Sequence, residues 1–478
     1  MNRSWVVAGL AALLFALQIA IRFHSSLGHD MAWYLYVADG LVDGKKLYVD
    51  FVEVNPPLGM WLDIPVIWLA RALSVSPIFC FYSSIFLLVA LSLAICWRYG
   101  REIEESRWTI FLLGAAAVML FLPGEAFGQR EHIMIMMVLP WLLLRQQNPA
   151  GFSALERMAV GAVAGLGIAL KPYAICAPIL VEAVLLFQNR SLRRTFAAEN
   201  LAAGAAIVIY AGMIAILTPE FYSKIVELGR LAYIPYPGYP TIWLFLNAKW
   251  AVIFMALALF GWRNPRVQVL LAAAVGFLMS YALQGKGFHY HILPATALAL
   301  LACLAALQLP FDSVRHQKLA CAMAGFMALV MLVSEPQSYT QIKDMSARID
   351  AVRTPAVQSV FIASNRFGHA FPYVVDQKLA WGSRFPTQWL APYVAEHWKP
   401  DAPVTDPVVQ NAMDWTMEDF AKLKPDIVAI DNTAAQRDLL GGFEFLKFWN
   451  SDPRFVALWK NYDLASSTGD IMIYTRKK

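Results

Sequence analysis

Long apolar runs recur along this chain from Trp5 to Val333, and most reach the roughly 17–25 residues that a helix needs to cross a bilayer. A spanning segment must satisfy its backbone hydrogen bonds within itself, so these runs dictate a helical bundle. With 59% hydrophobic and only 15% charged residues, a soluble globular protein of this length is excluded. The first run, Trp5 to Ile21, lacks a small-residue cleavage site and is followed by further runs. It is therefore expected to remain as an uncleaved helix. The five cysteines (Cys80, Cys96, Cys176, Cys303, Cys321) fall in or beside apolar helices without CxxC spacing, which suits small buried side chains better than a disulfide framework.

The net charge of +5 is modest, and its positives sit in short loops, a pattern that reports orientation and not nucleic-acid binding. Arg98–Arg107, Arg145–Arg157, Arg190–Arg194, Arg263–Arg266 and Arg315–Lys318 are the basic loops, which places them in the cytoplasm. The loops at Gly124–His132, Lys171-Pro172, Pro219–Tyr239 and Gln284–His291 then lie outside. This alternation holds only if Leu58–Leu73 does not cross. Its Asp63, Pro65 and Arg71 among Trp61 and Trp68 suit a helix lying in the interface. A second interfacial helix, Asp30–Val42, carries Met31, Tyr34, Leu35, Ala38 and Leu41 on one face.

The expected fold is mainly α, a polytopic membrane helical bundle of about eleven spans plus two interfacial helices, with the N-terminus cytoplasmic. Residues 1–334 form the membrane domain, with a first external loop at 24–77. Residues 335–478 lose the long apolar runs and read as an extramembrane α/β domain of ~140 residues on the periplasmic side. Val360–Ala363, Ile427–Ile430 and Ile471–Tyr474 are its expected strands, and Met417–Leu423 and Phe443–Trp449 its expected helices.

Polar residues collect at the outer ends of the spans. The first loop offers Asp30, Tyr34, Tyr48, Asp50, Glu53 and Asn55; the second offers Glu125, Gln129, Arg130, Glu131 and His132. GLGIALKPY contributes Lys171, and QGKGFHYH contributes Gln284, Lys286, His289, Tyr290 and His291. On this topology all four groups belong to one side of the membrane. Carboxylates supply a general base, while Lys, Arg and His hold an anionic phosphate, the combination that transfer from a phosphate-linked donor needs.

The layout resembles the GT-C class of integral-membrane glycosyltransferases, which includes the protein O-mannosyltransferases and the lipid A aminoarabinose transferases. The matching elements are Asp30 just after the first span, a long first loop with two interfacial helices, Pro56-Pro57-Leu58 opening the next helix, the Gly…Lys-Pro turn of GLGIALKPY, and the outer C-terminal domain. The resemblance implies a polyprenyl-phosphate sugar donor, an envelope glycan, lipid or protein acceptor, and a bacterial inner-membrane location. It also implies that Asp30 is the base that deprotonates the acceptor. Arg130, Lys171, Lys286 and His289 become candidate phosphate contacts, with Tyr34, Asn55, Glu131, Tyr290 and His291 around the substrate. Glu53 is a second candidate catalytic carboxylate that positions the acceptor or binds a divalent metal. Many relatives carry an acidic pair in the first loop, whereas Asp30 is flanked by His29 and Met31, so a metal requirement stays open.

Each residue also has a structural reading. Asp30 suits an N-cap, Glu53 a solvated loop acid, Arg130-Glu131 an ion pair, and Lys171 a snorkelling lysine. His289-x-His291 has a metal-like spacing on a short loop. Tyr233, Tyr236 and Tyr239 suit sugar stacking or interfacial anchoring, and Trp381, Arg384, Phe385 and Trp389 suit domain core. The rival functions are a lipid-linked glycan flippase or transporter, a polysaccharide polymerase or ligase, and an external domain anchored by its spans. No internal repeat favours the transporter.

Overall fold

The computed structural model describes residues 3–100, 105–147, 151–236, 240–307, 339–432, 439 and 443–477. The expected last span toward Val333, the basic loop Arg315–Lys318, Cys321, Tyr239 and the 334/335 boundary lie outside the described residues. In chain order the first helices are α1 (Arg3–Phe23), α2 (His29–Val42), α3 (Leu58–Leu73), α4 (Pro77–Arg98), α5 (Glu105–Phe121), α6 (Arg130–Leu144) and α7 (Ala154–Ala169). There follow α8 (Cys176–Asn189), α9 (Leu192–Thr195), α10 (Ala198–Leu217), α11 (Val226–Ala232), α12 (Ile242–Ala258), α13 (Pro265–Gln284) and α14 (Leu293–Leu307). The chain divides into two units: Met1–Ser25, Leu69–Ile214 and Tyr239–Pro336 in the first, and Ser26–Trp68, Ala215–Gly238 and Gln337–Lys478 in the second.

Among the described residues, six helical segments are long and apolar enough to cross a membrane: Pro77–Arg98, Pro172–Asn189, Ala198–Leu217, Ile242–Gly261, Pro265–Gln284 and His289–Leu307. Ala8–Phe23 and Arg107–Phe121 are shorter apolar helices. Along α10, Val208, Ile209 and Ile216 are 70%, 63% and 79% exposed, an apolar surface that lipid, not water, accommodates. By contrast α6 is buried from Met134 to Leu144, as a helix apolar on all sides must be.

Helix contacts in the first unit rely on small residues, which let backbones approach where lipid supplies no hydrophobic drive. A Cβ at Gly161 or Gly165 on α7 would meet the carbonyl oxygens of Glu199 and Ala203 on α10. Gly276 on α13 lies in the same way against the backbone of Ala177 on α8. Three arginines of the basic loops are held in ion pairs. Arg145 donates to Glu182 (2.7 Å) and Glu199 (2.6 Å), Arg157 to Glu199 (2.5 Å), and Arg98 to Glu156 (2.5 Å). These arginines join helix ends.

The second unit holds a five-stranded sheet of order β2-β1-β3-β5-β4. β1 (Ser359–Ala363), β2 (Ala380–Trp381) and β3 (Ile427–Asp431) are parallel, while β4 (Tyr462–Thr468) and β5 (Ile471–Arg476) form an antiparallel hairpin whose second strand pairs with β3. β3 is buried throughout, as a strand covered on both faces should be. The expected helix Met417–Leu423 is the end of a longer one, Pro407–Leu423, whose Asp406 accepts from the backbone N–H groups of Val408 (2.8 Å) and Val409 (3.0 Å). The second expected helix is shorter, Phe445–Trp449. Phe361, Phe420, Trp449 and Phe455 pack an aromatic core beside the sheet, with ring centroids 5.3–6.0 Å apart.

Gly161→Ala is expected to destabilise the protein by about 1–3 kcal/mol, because the added methyl forces α7 and α10 apart. Gly204→Ala on α10, where nothing lies near the new carbon, should leave the melting midpoint of the detergent-solubilised protein unchanged or raised.

Candidate active site

The candidate carboxylates of the first loop lie in the second unit. α2 begins one residue earlier than expected, at His29, and its N-cap is Gly28. Asp30 therefore sits inside the first turn and does not cap the helix. It is 8% exposed, and Nε2 of His29 lies 3.4 Å from its Oδ1. Burial on α2 extends beyond the single expected face: Ala32, Trp33 and Val37 are enclosed along with Met31, Tyr34, Leu35 and Ala38, while Leu41 is half-buried.

Glu53 is not a solvated loop acid. It is 3% exposed, and both its oxygens accept hydrogen bonds. The Trp33 indole N–H donates to Oε2 (2.8 Å), and Asn55 donates to Oε1 through its backbone N–H (3.0 Å) and its side-chain amide (2.6 Å). Tyr48, at φ 66°, donates to the Asn55 carbonyl at 2.8 Å, closing the loop on itself. Tyr34 is buried on α2. Asp50, at the loop's edge, is held below the usual carboxylate range by the Lys46 backbone N–H and by Lys422.

The loop is docked on the C-terminal residues. Trp33 packs edge-on against Phe371 (5.2 Å), the Tyr36 hydroxyl accepts from the Trp381 N–H (2.9 Å), and Val52 N–H donates to the Arg384 carbonyl (2.7 Å). Burial pushes the Tyr36 hydroxyl pKa upward, and the hydrogen bond from the Trp381 N–H opposes it only in part. Arg384 itself binds Asp419 (2.9 Å) and Glu418 (2.8 Å), and Trp381, Phe385 and Trp389 are buried, so WGSRFPTQW serves as domain core. Tyr233 packs against Trp389 and Tyr236 bonds Glu396 (2.5 Å), so both join the C-terminal residues.

The candidate cations form a separate cluster in the first unit. Lys171 is 7% exposed at the turn between α7 and the segment Pro172–Ile175; it forms an ion pair with Glu131 and donates to Gln284 at 3.2 Å. Nε2 of His291 lies 3.7 Å from the same Glu131 oxygen, and the Lys171 ammonium stands over the Tyr290 ring at 5.6 Å. Arg130, Lys171, Lys286 and His289 all lie close enough to His291 for their charges to be felt there. Gly285 and Gly287, at φ 62° and 68°, turn the chain on either side of buried Lys286, a conformation that L side chains rarely adopt. Ser280 donates to the Tyr173 carbonyl (2.6 Å) and Asn247 to the Gly287 carbonyl (2.8 Å), pinning both turns.

Arg130, Lys171 and Lys286 are all buried, and Lys171 is paired with Glu131. His289 is exposed whereas His291 is buried, so the two histidines face different surroundings. Among the described residues no three His, Cys, Asp or Glu side chains are grouped so as to hold a metal ion. Trp33, which locks Glu53, was not marked by any sequence pattern; its position three residues after Asp30 on α2 was the available signal.

No family model matches the chain, and no curated protein matches it in sequence. Solved structures that share its fold include two of ArnT. ArnT from Cupriavidus metallidurans bound to undecaprenyl phosphate aligns at TM-score 0.59 and 13% identity, covering 99% of this chain and 98% of that one. ArnT from the same organism in the apo state aligns at TM-score 0.58 and 14% identity, with the same coverage of 99% and 98%. The protein is thus built on the fold of the aminoarabinose transferase ArnT, a membrane helical bundle with a small C-terminal sheet, and the expected resemblance holds at the level of fold.

Removing the Glu131 carboxylate leaves the Lys171 ammonium buried without its anion, and Glu131→Ala is expected to lower stability by about 3–5 kcal/mol. Adding Lys171→Met should recover most of that loss in the melting midpoint. Equal melting of the single and double variants would show that the pair is not the stabilising element.

Proposed function

We propose that this protein is an inverting GT-C glycosyltransferase. It moves a sugar from a polyprenyl-phosphate donor to an acceptor hydroxyl on an envelope glycan, lipid or protein, at the outer face of a bacterial inner membrane. The observation that carries this reading is the likeness, over 99% of the chain, to an ArnT structure bound to undecaprenyl phosphate. The buried carboxylates and the buried cation cluster supply the two kinds of group such a transfer needs. In this reading the chain has about eleven spans, a cytoplasmic N-terminus and a periplasmic C-terminus. Residues 1–334 are the catalytic membrane domain and 335–478 the outer domain.

The chemistry is a single displacement at the anomeric carbon. The acceptor oxygen bonds to that carbon as its proton passes to Asp30, and the bond to the lipid phosphate breaks with its electron pair leaving on the phosphate oxygen. Lys171, Lys286 and Arg130 stabilise the charge that accumulates on the leaving phosphate, a contribution enlarged in a site of low dielectric. His289, Tyr290 and His291 line the phosphate end. Tyr34, Glu53 and Asn55 shape the acceptor end. Both Glu53 oxygens already accept hydrogen bonds, which favours a positioning role for Glu53 and leaves the base to Asp30.

The test is release of free polyprenyl phosphate by the purified protein from a panel of polyprenyl-phosphate sugars with candidate acceptors. Wild type should turn over at least one donor, and Asp30→Asn should lose at least about a hundredfold in kcat while melting as wild type does. Retained activity in Asp30→Asn would remove Asp30 as the base.

A further inference from the structure

The C-terminal sheet reaches the first turn of α2 through a continuous set of contacts. β1 and β3 are parallel neighbours, and the residues that end them, Ser364 just after β1 and Asp431 closing β3, meet. The Ser364 hydroxyl donates to Asp431 Oδ2 (2.9 Å) and lies 3.1 Å from Nδ1 of His369, which is itself 3.2 Å from the same Asp431 oxygen. Asp431 is fully buried, and Ser364 and His369 are 1% and 6% exposed. The Arg366 N–H donates to the Ser364 hydroxyl (3.0 Å), and the Ser364 carbonyl accepts from Thr387 Oγ1 (2.5 Å) and the Gln388 N–H (2.9 Å). This knot fixes the turn at 364–371.

Two rings of that turn face α2. Phe367 lies 5.1 Å from the His29 ring, and Phe371, fully buried, lies 5.2 Å edge-on from Trp33. His29 adjoins the Asp30 carboxylate, and Trp33 holds Glu53 by its indole N–H. We propose that the outer sheet is a buttress for the reacting carboxylates: the Ser364–His369–Asp431 knot sets Phe367 and Phe371, which fix His29 and Trp33 and through them Asp30 and Glu53. This rests on the reading of Asp30 as the base and gives the C-terminal residues their part in it. Phe367, Phe371, His369 and Asp431 are positioning residues. A functional carboxylate must be held to a fraction of an ångström, and rotamers locked by a supporting shell are how that is achieved. The N-cap of α2, Gly28, makes no side-chain bond.

The test uses the full-length protein and two variants of the link. Phe367→Leu removes the ring beside His29 at a half-buried position, and Asp431→Asn weakens the knot without changing its shape. In Phe367→Leu, kcat should fall by roughly ten- to a hundredfold with donor KM within about twofold and melting unchanged, and Phe367→Tyr should restore the rate. Backbone amides of residues 29–36 should exchange hydrogen faster in both Phe367→Leu and Asp431→Asn. Unaltered kcat and exchange in both variants would overturn the buttress, as would a loss of rate that follows a loss of melting temperature. If wild type turns over no donor, the transferase reading falls, and exchange on α2 alone then decides the buttress, with wild-type rates in both variants overturning it.

Discussion

The arrangement of the second unit depends on one hydrogen bond, from the Trp33 indole N–H to Glu53. A buried carboxylate is expensive unless donors replace its water, and a carboxylate on a loop has no helix to supply them. The indole does so while its ring stays in apolar contact with Phe51 and Phe371. One side chain thereby satisfies a charge and joins three stretches of chain: α2, the returning loop and the C-terminal residues. Asn55 completes the carboxylate from within the loop, and Tyr48 fixes Asn55 in turn. A network in which each member holds the next is worth more than its separate bonds, because losing one leaves others buried and unsatisfied.

The first unit solves the same problem with the opposite sign. Lys171 is buried where α7 gives way to the Pro172 turn, and Glu131 and Gln284 stand in for its solvent. Arg130 and Lys286 bring further positive charge near the same place. In the proposed reading the leaving phosphate joins this cluster as a further anion. The neighbouring turns are held by Ser280 and Asn247, so the charges are not free to spread apart.

Much of this was legible in the sequence, and what was not has physical causes. Apolar runs announce membrane helices because period and length suffice, and α4, α10 and α13 fall where those runs lie. β1, β3 and β5 were marked by their short β-branched and apolar segments. β4 went unseen because it is an edge strand, reading YDLASST, with no buried face to impose alternation and a register break between Leu464 and Ser466. α2 was expected to show one apolar face, yet the C-terminal residues cover more of it, and long-range docking leaves no trace in local periodicity. Asp30 read as a helix cap for the same reason: cap position turns on a single residue of boundary, and Gly28 takes it. The polar clusters were visible as residue types at span ends. Their pairing was not, since Lys171 meets a residue forty positions earlier, Glu131, and Trp33 one twenty positions later.

In the proposed reading, the bonding of the two first-loop carboxylates divides their labour. An ionised carboxylate offers about four lone-pair positions, and each one engaged in a fixed hydrogen bond lowers its readiness to take a proton. Glu53 has three such donors, one from Trp33 on α2 and two from Asn55 in its own loop. A carboxylate held this way is suited to orienting what surrounds it. Asp30 differs in kind. It lies in the first turn of a helix, beside an imidazole that is 34% exposed. A base must be recharged after every turnover by passing its proton to solvent, and a neighbouring histidine is a chemically competent carrier for that step. The same reasoning explains why one carboxylate suffices. In the proposed reading a single displacement needs one proton acceptor and one stabilised leaving group, and a Glu53 held by three donors serves as a positioning group instead of a competing nucleophile.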